Sequence, residues 1–127
     1  TALAAAKAAD LILIPCRPAV FDLRAISSSV DLVQLAKKPA LIVLNAAQPR
    51  GTLADQAETA IKAYGIPVAK ARITQRAAFV HSLTAGQTVI EFEPDGNAAA
   101  EVKALCLIAC KHVGMITRHK ASKEMTA

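Results

Sequence analysis

Short apolar runs alternate along this chain with stretches in which apolar residues recur every three or four positions. Two of the runs are continuous, at residues 11–14 and 40–44, and they end at Pro15 and Asn45. Continuous runs of this length are typical of parallel strands that are covered on both faces. A third run, residues 68–73, is interrupted by Lys70 and Arg72, which predicts a strand with one wetter face or an edge position.

The stretches with helical spacing predict helices between and after these strands. An Ala-rich helix is expected over residues 2–9, and Asp22 is expected to cap a helix that runs from about Leu23 to Lys37. Further helices are expected from Thr52 to Gly65, over residues 76–84, and from an Asn97 cap to Gly114. Residues 88–92 are expected to add a short extended segment.

Strands that alternate with helices indicate right-handed crossovers and a parallel sheet. The expected fold class is therefore α/β, with a mostly parallel sheet that carries helices on both faces. The pattern shows no internal repeat and no linker, so we expect a single domain over residues 1–127. Residues 117–127 are polar and basic and are expected to form a flexible tail.

Composition excludes several classes of protein. Apolar residues make up 54% of the chain, which is too many for a disordered protein. Aromatic residues make up 3%, which argues against a platform for stacking nucleic-acid bases. No apolar run is long enough to span a bilayer, so no membrane is expected as a partner. The start of the chain has no basic segment typical of a signal peptide, and there are three cysteines, so a cytoplasmic location is expected.

The carboxyl ends of parallel strands are where open α/β sheets bind ligands, and Asn45 falls at such an end. Its amide offers both a donor and an acceptor, so it suits the edge of a base. An Asn in this place also starts turns, and the pattern alone favours neither interpretation. The segment from Pro15 to Pro18 and the segment after Ile73 are expected at the same edge.

Other candidate chemistry is weaker. Cys106 and Cys110 lie four residues apart among apolar neighbours, which predicts core packing rather than a metal site. Cys16 has no adjacent base in the sequence. Glu91 and Glu93 alternate on the expected extended segment and are interpreted as solvated strand residues rather than an acid–base pair.

None of the five glycines belongs to a phosphate loop, because none is followed by the Lys of the pattern G-x-x-x-x-G-K-[ST]. The formal net charge is +5, which permits an acidic partner without requiring one. Lys70, Arg72 and Arg76 form one group of basic residues, and Lys120 and Lys123 belong to a second. Both groups are open to two interpretations, a solvated surface or a phosphate-binding surface.

Three stretches of the sequence together resemble the ParA/MinD-type partition ATPases, a group of deviant P-loop ATPases. They are AAAKAADLILIPCRP with FDL, then VLN followed by PRG, and GQTVIEFEP followed by the opening of the last helix. The resemblance covers nearly the whole chain in the family's order. It implies a P-loop NTPase-like fold of which this chain would be the carboxyl-terminal half.

The resemblance also implies functions for individual residues. Asn45 matches the Asn that contacts adenine, and the loop around Pro94 matches the segment that closes over the base. The position of a DNA-contacting Arg in many members is Ala78 here, and Arg76 lies two residues before it. We therefore expect Arg72, Arg76, Lys120 and Lys123 to form the DNA-binding surface.

For the intact parent, the family implies ATP and Mg²⁺ as cofactors, a homodimer, non-specific DNA binding and a centromere-binding partner protein in plasmid or chromosome partitioning. Because phosphoryl transfer depends on the phosphate loop, we expect this chain alone to be inactive and to bind no nucleotide tightly. Two alternatives remain at this stage. One is a non-catalytic binding or assembly module that self-associates through an open strand edge. The other is a fragment of a related ATP-dependent amide-forming synthetase.

Overall fold

The computed structural model describes residues 1–114, with the side chains of residues 20–24 excepted. Six helices and two strands follow one another along this part of the chain. They are α1 (Ala2–Ala8), β1 (Ile12–Cys16), α2 (Val20–Ala36), β2 (Ala40–Leu44), α3 (Leu53–Ile61), α4 (Ala77–Thr84), α5 (Val89–Phe92) and α6 (Asn97–His112), with a 3-10 turn at Lys62–Tyr64 after α3. Strand and helix alternate as the sequence predicts from α1 to α3, and three helices follow with no strand between them.

The two strands pair in parallel, in a register that runs from Ile12 opposite Ala40 to Cys16 opposite Leu44. Proline lacks an amide hydrogen, so Pro15 can lie inside β1 only where no ladder bond is needed from its nitrogen. The run that Pro15 was expected to end therefore continues to Cys16.

The third predicted strand, residues 68–73, does not form a strand. The segment runs alongside β2 and contacts it by two isolated parallel bridges, Ile42 with Val68 and Ala47 with Thr74. Between the bridges, the amides of Ala69 and Ile73 donate to the carbonyls of Ile42 and Leu44. From the first of these two hydrogen bonds to the second, the segment advances four residues while β2 advances two, so the ladder is broken where Lys70 and Arg72 lie.

Helices cover both faces of this small sheet, which confirms the expected α/β class and is compatible with part of a P-loop-like fold. One face packs against α2 and α3, in a core that includes Ile14, Ile42 and Leu44. The other face carries Leu41 and Val43, which pack against partly buried residues of α6. The alternation of side chains along β2 supplies both cores, because successive residues point to opposite faces.

Several predicted helix bounds were wrong. The second helix begins at Val20 with Ala19 as its N-cap, so Asp22 lies inside it, and Lys37 is its C-cap. The last helix has Gly96 as its N-cap, and Asn97 is its first residue.

Residues 88–92 form a helical turn rather than an extended segment. The Thr88 hydroxyl accepts from the Glu91 amide, and the Glu91 carboxylate accepts from the Thr88 amide. This reciprocal capping box stabilises the start of a helix. Glu91 and Glu93 therefore do not share the face of a strand.

The predicted tail, residues 117–127, lies outside the described residues. Within residues 1–114, no helix has the length and apolar character required to cross a membrane.

Candidate functional site

Backbone hydrogen bonds bring three chain segments together at the carboxyl edge of the sheet. The Asn45 amide donates to the Cys16 carbonyl at 2.9 Å, which ties the end of β2 to the end of β1. The Ala47 amide donates to the Ile73 carbonyl at 3.0 Å, and the Gln75 amide donates to the Ala47 carbonyl at 2.9 Å. The three ends that the sequence predicts to meet are therefore adjacent, with Asn45 between them.

Ala46 has a left-handed backbone, with a φ of 52°. An L-residue pays an energetic cost in this region of about 1–2 kcal/mol. The flanking bonds from Asn45 and Ala47 hold Ala46 in this conformation. The turn that follows Asn45 is thus fixed by hydrogen bonds to the sheet on both sides.

A cavity of about 400 Å³ opens at this edge. Its lining combines apolar and polar groups: Arg17, Pro18, Ala19, Ala46, Gln48, Leu53 and Gln75. Of these, Pro18 is buried, whereas Arg17, Gln48 and Gln75 are exposed at the rim. Asn45 is half-buried and directly precedes the lining residue Ala46.

The chemistry of the cavity fits a planar heterocycle better than a metal ion. Its apolar side chains offer surfaces for the faces of a ring, and the amides of Gln48 and Gln75 offer donors and acceptors for a ring edge. Among the side chains that the structure describes, no carboxylate, the preferred ligand of Mg²⁺, lines it. Among the described side chains, those of residues 1–19 and 25–114, no three or more His, Cys, Asp or Glu are grouped so that they can hold a metal.

Pro94 lies in the turn that joins α5 to α6. The Gly96 amide closes this turn by donating to the Glu93 carbonyl at 3.0 Å. Lys103, on α6, donates from Nζ to the Pro94 carbonyl at 3.2 Å. Pro94 does not line the cavity at Asn45.

Glu101 anchors α6 to the segment that follows Ile73. Its carboxylate accepts from the Thr74 amide at 2.9 Å and from the Arg76 guanidinium at 2.7 and 3.3 Å. Burial raises the pKa of Glu101, but the hydrogen bonds from Arg76 and Thr74 outweigh burial, and the net pKa lies below the usual value of 4.5. The carboxylate is thus ionised at neutral pH and holds two elements together.

Arg72 is engaged in a second set of ion pairs. Its Nη2 donates to Glu58 Oε2 at 2.6 Å and to Asp55 Oδ1 at 2.9 Å, both on α3. The hydrogen bond from Glu58, then that from Asp55, raises the pKa of Arg72. Arg72 and Arg76 therefore both contact carboxylates of the same chain, while Lys70 is exposed. Lys120 and Lys123 lie outside the described residues.

The prediction that Cys106 and Cys110 pack in the core was wrong for both residues. Cys106 is exposed and Cys110 is half-buried, and their sulfur atoms are 4.0 Å apart. Cys16 is buried, and its thiol donates to the Arg17 carbonyl at 3.5 Å.

Sequence reasoning placed the segment from Pro15 to Pro18 at this edge but assigned no function to Arg17, Gln75 or Glu101. Arg17 follows the end of β1, and Gln75 follows the segment at residues 68–73. Their position at these carboxyl ends could have marked both residues as candidates for ligand binding. Glu101 carried no such signal, because its partners Thr74 and Arg76 lie more than twenty residues away in sequence.

A comparison with known proteins finds a similar protein. The chain is 30% identical over 97 residues to Maintenance of carboxysome distribution protein A of Halothiobacillus neapolitanus, and the alignment covers 72% of this chain. The similarity supports a relationship to the ParA/MinD-type ATPases. The chain spans 45% of that protein's length. No protein-family model matches the chain.

Proposed function

We propose that this chain is the carboxyl-terminal, adenine-side part of a ParA-type ATPase. The observation that carries the proposal is the junction at Asn45, where hydrogen bonds join the end of β2 to the end of β1 and to the segment after Ile73. These hydrogen bonds fix the backbone of Asn45. Its side-chain amide, beside a cavity with apolar walls and a polar rim, suits a base that must be recognised along its edge.

In this proposal the chain supplies base recognition, and the phosphate-binding groups come from another part of the protein. ATP, once bound with Mg²⁺, supplies the phosphoryl chemistry. Asn45 contacts the adenine edge, and the turn around Pro94 closes over the base. None of the groups that would bind phosphates or Mg²⁺ is assigned to residues of this chain.

The proposed cellular function is plasmid or chromosome partitioning, with a homodimer and a centromere-binding partner in the cytoplasm. A second candidate cargo is the carboxysome, which the 30% identical relative is named for. Deletion of the gene in its host distinguishes the two. Loss of a plasmid or misplaced chromosomes in daughter cells supports partitioning, and clustered carboxysomes with normal DNA inheritance support the second cargo.

Arg72, Arg76, Lys120 and Lys123 are proposed as the DNA-binding surface. The ion pairs of Arg72 and Arg76 bear on this assignment, because a phosphate must compete with Glu58 and Glu101 for each guanidinium. Guanidinium groups form bidentate contacts with phosphate as readily as with carboxylate. Binding of this kind carries no base information, so it is independent of sequence.

The test is the ATPase activity of the full-length product of the gene. We expect that product to hydrolyse ATP and this chain alone to show no turnover. Asn45→Ala in the full-length product is expected to raise KM for ATP and to weaken discrimination against GTP. The matched control is Gln34→Ala, which removes an exposed side-chain amide on α2 and is expected to leave KM unchanged. Equal KM values for the two variants would overturn the assignment of Asn45.

A further inference from the structure

Two cysteine side chains lie together on the surface of α6, away from the cavity at Asn45. The sulfur atoms of Cys106 and Cys110 are 4.0 Å apart, and Cys106 is exposed. Residues four apart on a helix lie on the same face, so the helix itself brings the two thiols together. We propose that Cys106 and Cys110 form a dithiol site for one soft, thiophilic cation of the Cu(I) class.

The geometry favours a chelated ion over a disulfide. Helical residues four apart have Cβ atoms about 5–6 Å from each other, whereas a disulfide needs a Cβ separation of about 3.5–4.5 Å. Oxidation would therefore require α6 to distort, and the pair remains a dithiol. One ion with metal–sulfur bonds of about 2.3 Å spans sulfurs 4.0 Å apart at a bond angle of about 120°, the angle of a three-coordinate ion whose third ligand comes from solution.

The number of ligands favours a soft ion of low coordination over zinc. Structural zinc takes four protein ligands, and the side chains that the structure describes include no group of three or more His, Cys, Asp or Glu placed to bind a metal. Thiolates bind Cu(I), Zn and Fe–S clusters, and of these Cu(I) is the one that is stable with two or three ligands. His112 lies two residues beyond Cys110, a spacing that turns it away from the dithiol face of α6.

Binding at this site is a ligand exchange without a change of oxidation state. Two metal–sulfur bonds form, the two thiol protons pass to the buffer, and Cu(I) releases the ligands that it brings with it except the one that occupies its third position. Binding at the dithiol site requires no nucleotide, so a test of this proposal is independent of a test of the adenine site.

The test is an anaerobic competition between this chain and the chromogenic Cu(I) chelator bicinchoninate, followed by the absorbance of the chelator complex. The expected result is withdrawal of one Cu(I) per chain. The double variant Cys106→Ser with Cys110→Ser retains the buried Cys16 and is expected to withdraw none.

A spacing variant, Cys110→Ala with Lys111→Cys, keeps three cysteines and moves one thiol off the shared face. We expect its affinity to fall roughly tenfold or more, because the second thiol no longer acts at high effective concentration. Circular dichroism checks that α6 still forms, and Cys106→Ser alone repeats the test with a milder change at an exposed position. The proposal is overturned if the wild-type chain withdraws no Cu(I), if it takes one ion per two chains, or if these variants bind as the wild type does.

Discussion

Glu101 accepts two hydrogen bonds from Arg76, at 2.7 Å from Nη2 and at 3.3 Å from Nε. These bonds connect α6 to the segment after Ile73, whose Gln75 lines the candidate site. The same carboxylate accepts from the Thr74 amide. Because the third segment does not form a continuous ladder with β2, this contact from α6 contributes to holding it in place.

Replacement of Glu101 by Gln is expected to lower the free energy of unfolding by about 1 kcal/mol at pH 7, because a charged acceptor is lost from a partly buried network. Urea unfolding measures the change. The control is Asp10→Asn, which removes the same charge at an exposed position. An equal effect from the two variants would contradict a stabilising function for the Glu101 network.

The pKa of Glu101 predicts how this contribution varies with pH. Its folded-state pKa lies below 4.5, so the unfolded chain binds a proton at Glu101 more readily than the folded chain does. The stabilisation is complete above the unfolded pKa and is lost as the pH falls through the folded pKa. The stability difference between wild type and Glu101→Gln should therefore shrink as the pH is lowered below 4.5. A difference that is constant from neutral pH down through this range would be inconsistent with the network.

Lys37 ends α2 in the left-handed conformation, with a φ of 55°. Glycine adopts this conformation without the steric cost of a Cβ atom. Lys37→Gly is expected to stabilise the chain by about 1 kcal/mol. Lys37→Ala removes the same charge but retains the Cβ atom, so thermal unfolding should show no comparable gain. A gain of the same size in both variants would assign the effect to charge instead.

The DNA-binding proposal predicts a change in salt dependence. In the full-length product with ATP, Arg72→Ala and Arg76→Ala should each weaken DNA binding and reduce the salt slope by about 1, because each removes one phosphate contact. Lys7→Ala, on α1, is the charge-matched control and should leave the slope unchanged. Fluorescence anisotropy at two salt concentrations measures both quantities. Unchanged slopes in the arginine variants would limit Arg72 and Arg76 to their ion pairs with Glu58 and Glu101.

The outer edge of β1 predicts self-association of the chain. Within residues 1–114, β1 pairs with β2 alone, and its Leu13 side chain is 41% exposed. Open edges and apolar side chains beside them recruit further strands. Leu13→Lys should reduce association measured by light scattering, whereas Leu35→Lys, at an exposed position on α2, should not. A monomeric wild-type chain at high concentration would contradict this prediction.

The sequence predicts the parts of this fold in which local pattern and tertiary environment agree. The run at 40–44 is a strand with the predicted bounds, and Gly65 follows the 3-10 turn in the left-handed conformation. Residues 68–73 carry a strand-like alternation of apolar and basic residues. The segment nevertheless has two residues more than β2 between its two hydrogen bonds to β2, and these extra residues break the ladder. The sequence pattern of one strand does not show how it aligns with the neighbouring strand. The Thr88 and Glu91 capping box was present in the sequence as T-x-x-E, and the β-branched residues around it outweighed that signal.

The candidate site is predictable to a similar extent. Asn45 could be placed because an apolar run ends at it. The contacts of Arg72 and Arg76 could not, because their carboxylate partners lie on other helices, 14 to 25 residues away in sequence. The positive charges alone predicted a phosphate-binding surface. The structure adds that Arg72 and Arg76 form ion pairs with carboxylates of the same chain.

The titration of this chain with adenosine and with guanosine, followed by NMR, tests the central claim most directly. We expect adenosine to shift the backbone amide signals of Asn45, Ala46, Ala47, Gln48 and Gln75 more strongly than guanosine does. These shifts should be lost in Asn45→Ala and retained in Gln34→Ala, which changes an exposed residue of α2. Equal shifts from both nucleosides, or adenosine shifts that survive Asn45→Ala, would contradict an adenine site at the carboxyl edge of this sheet.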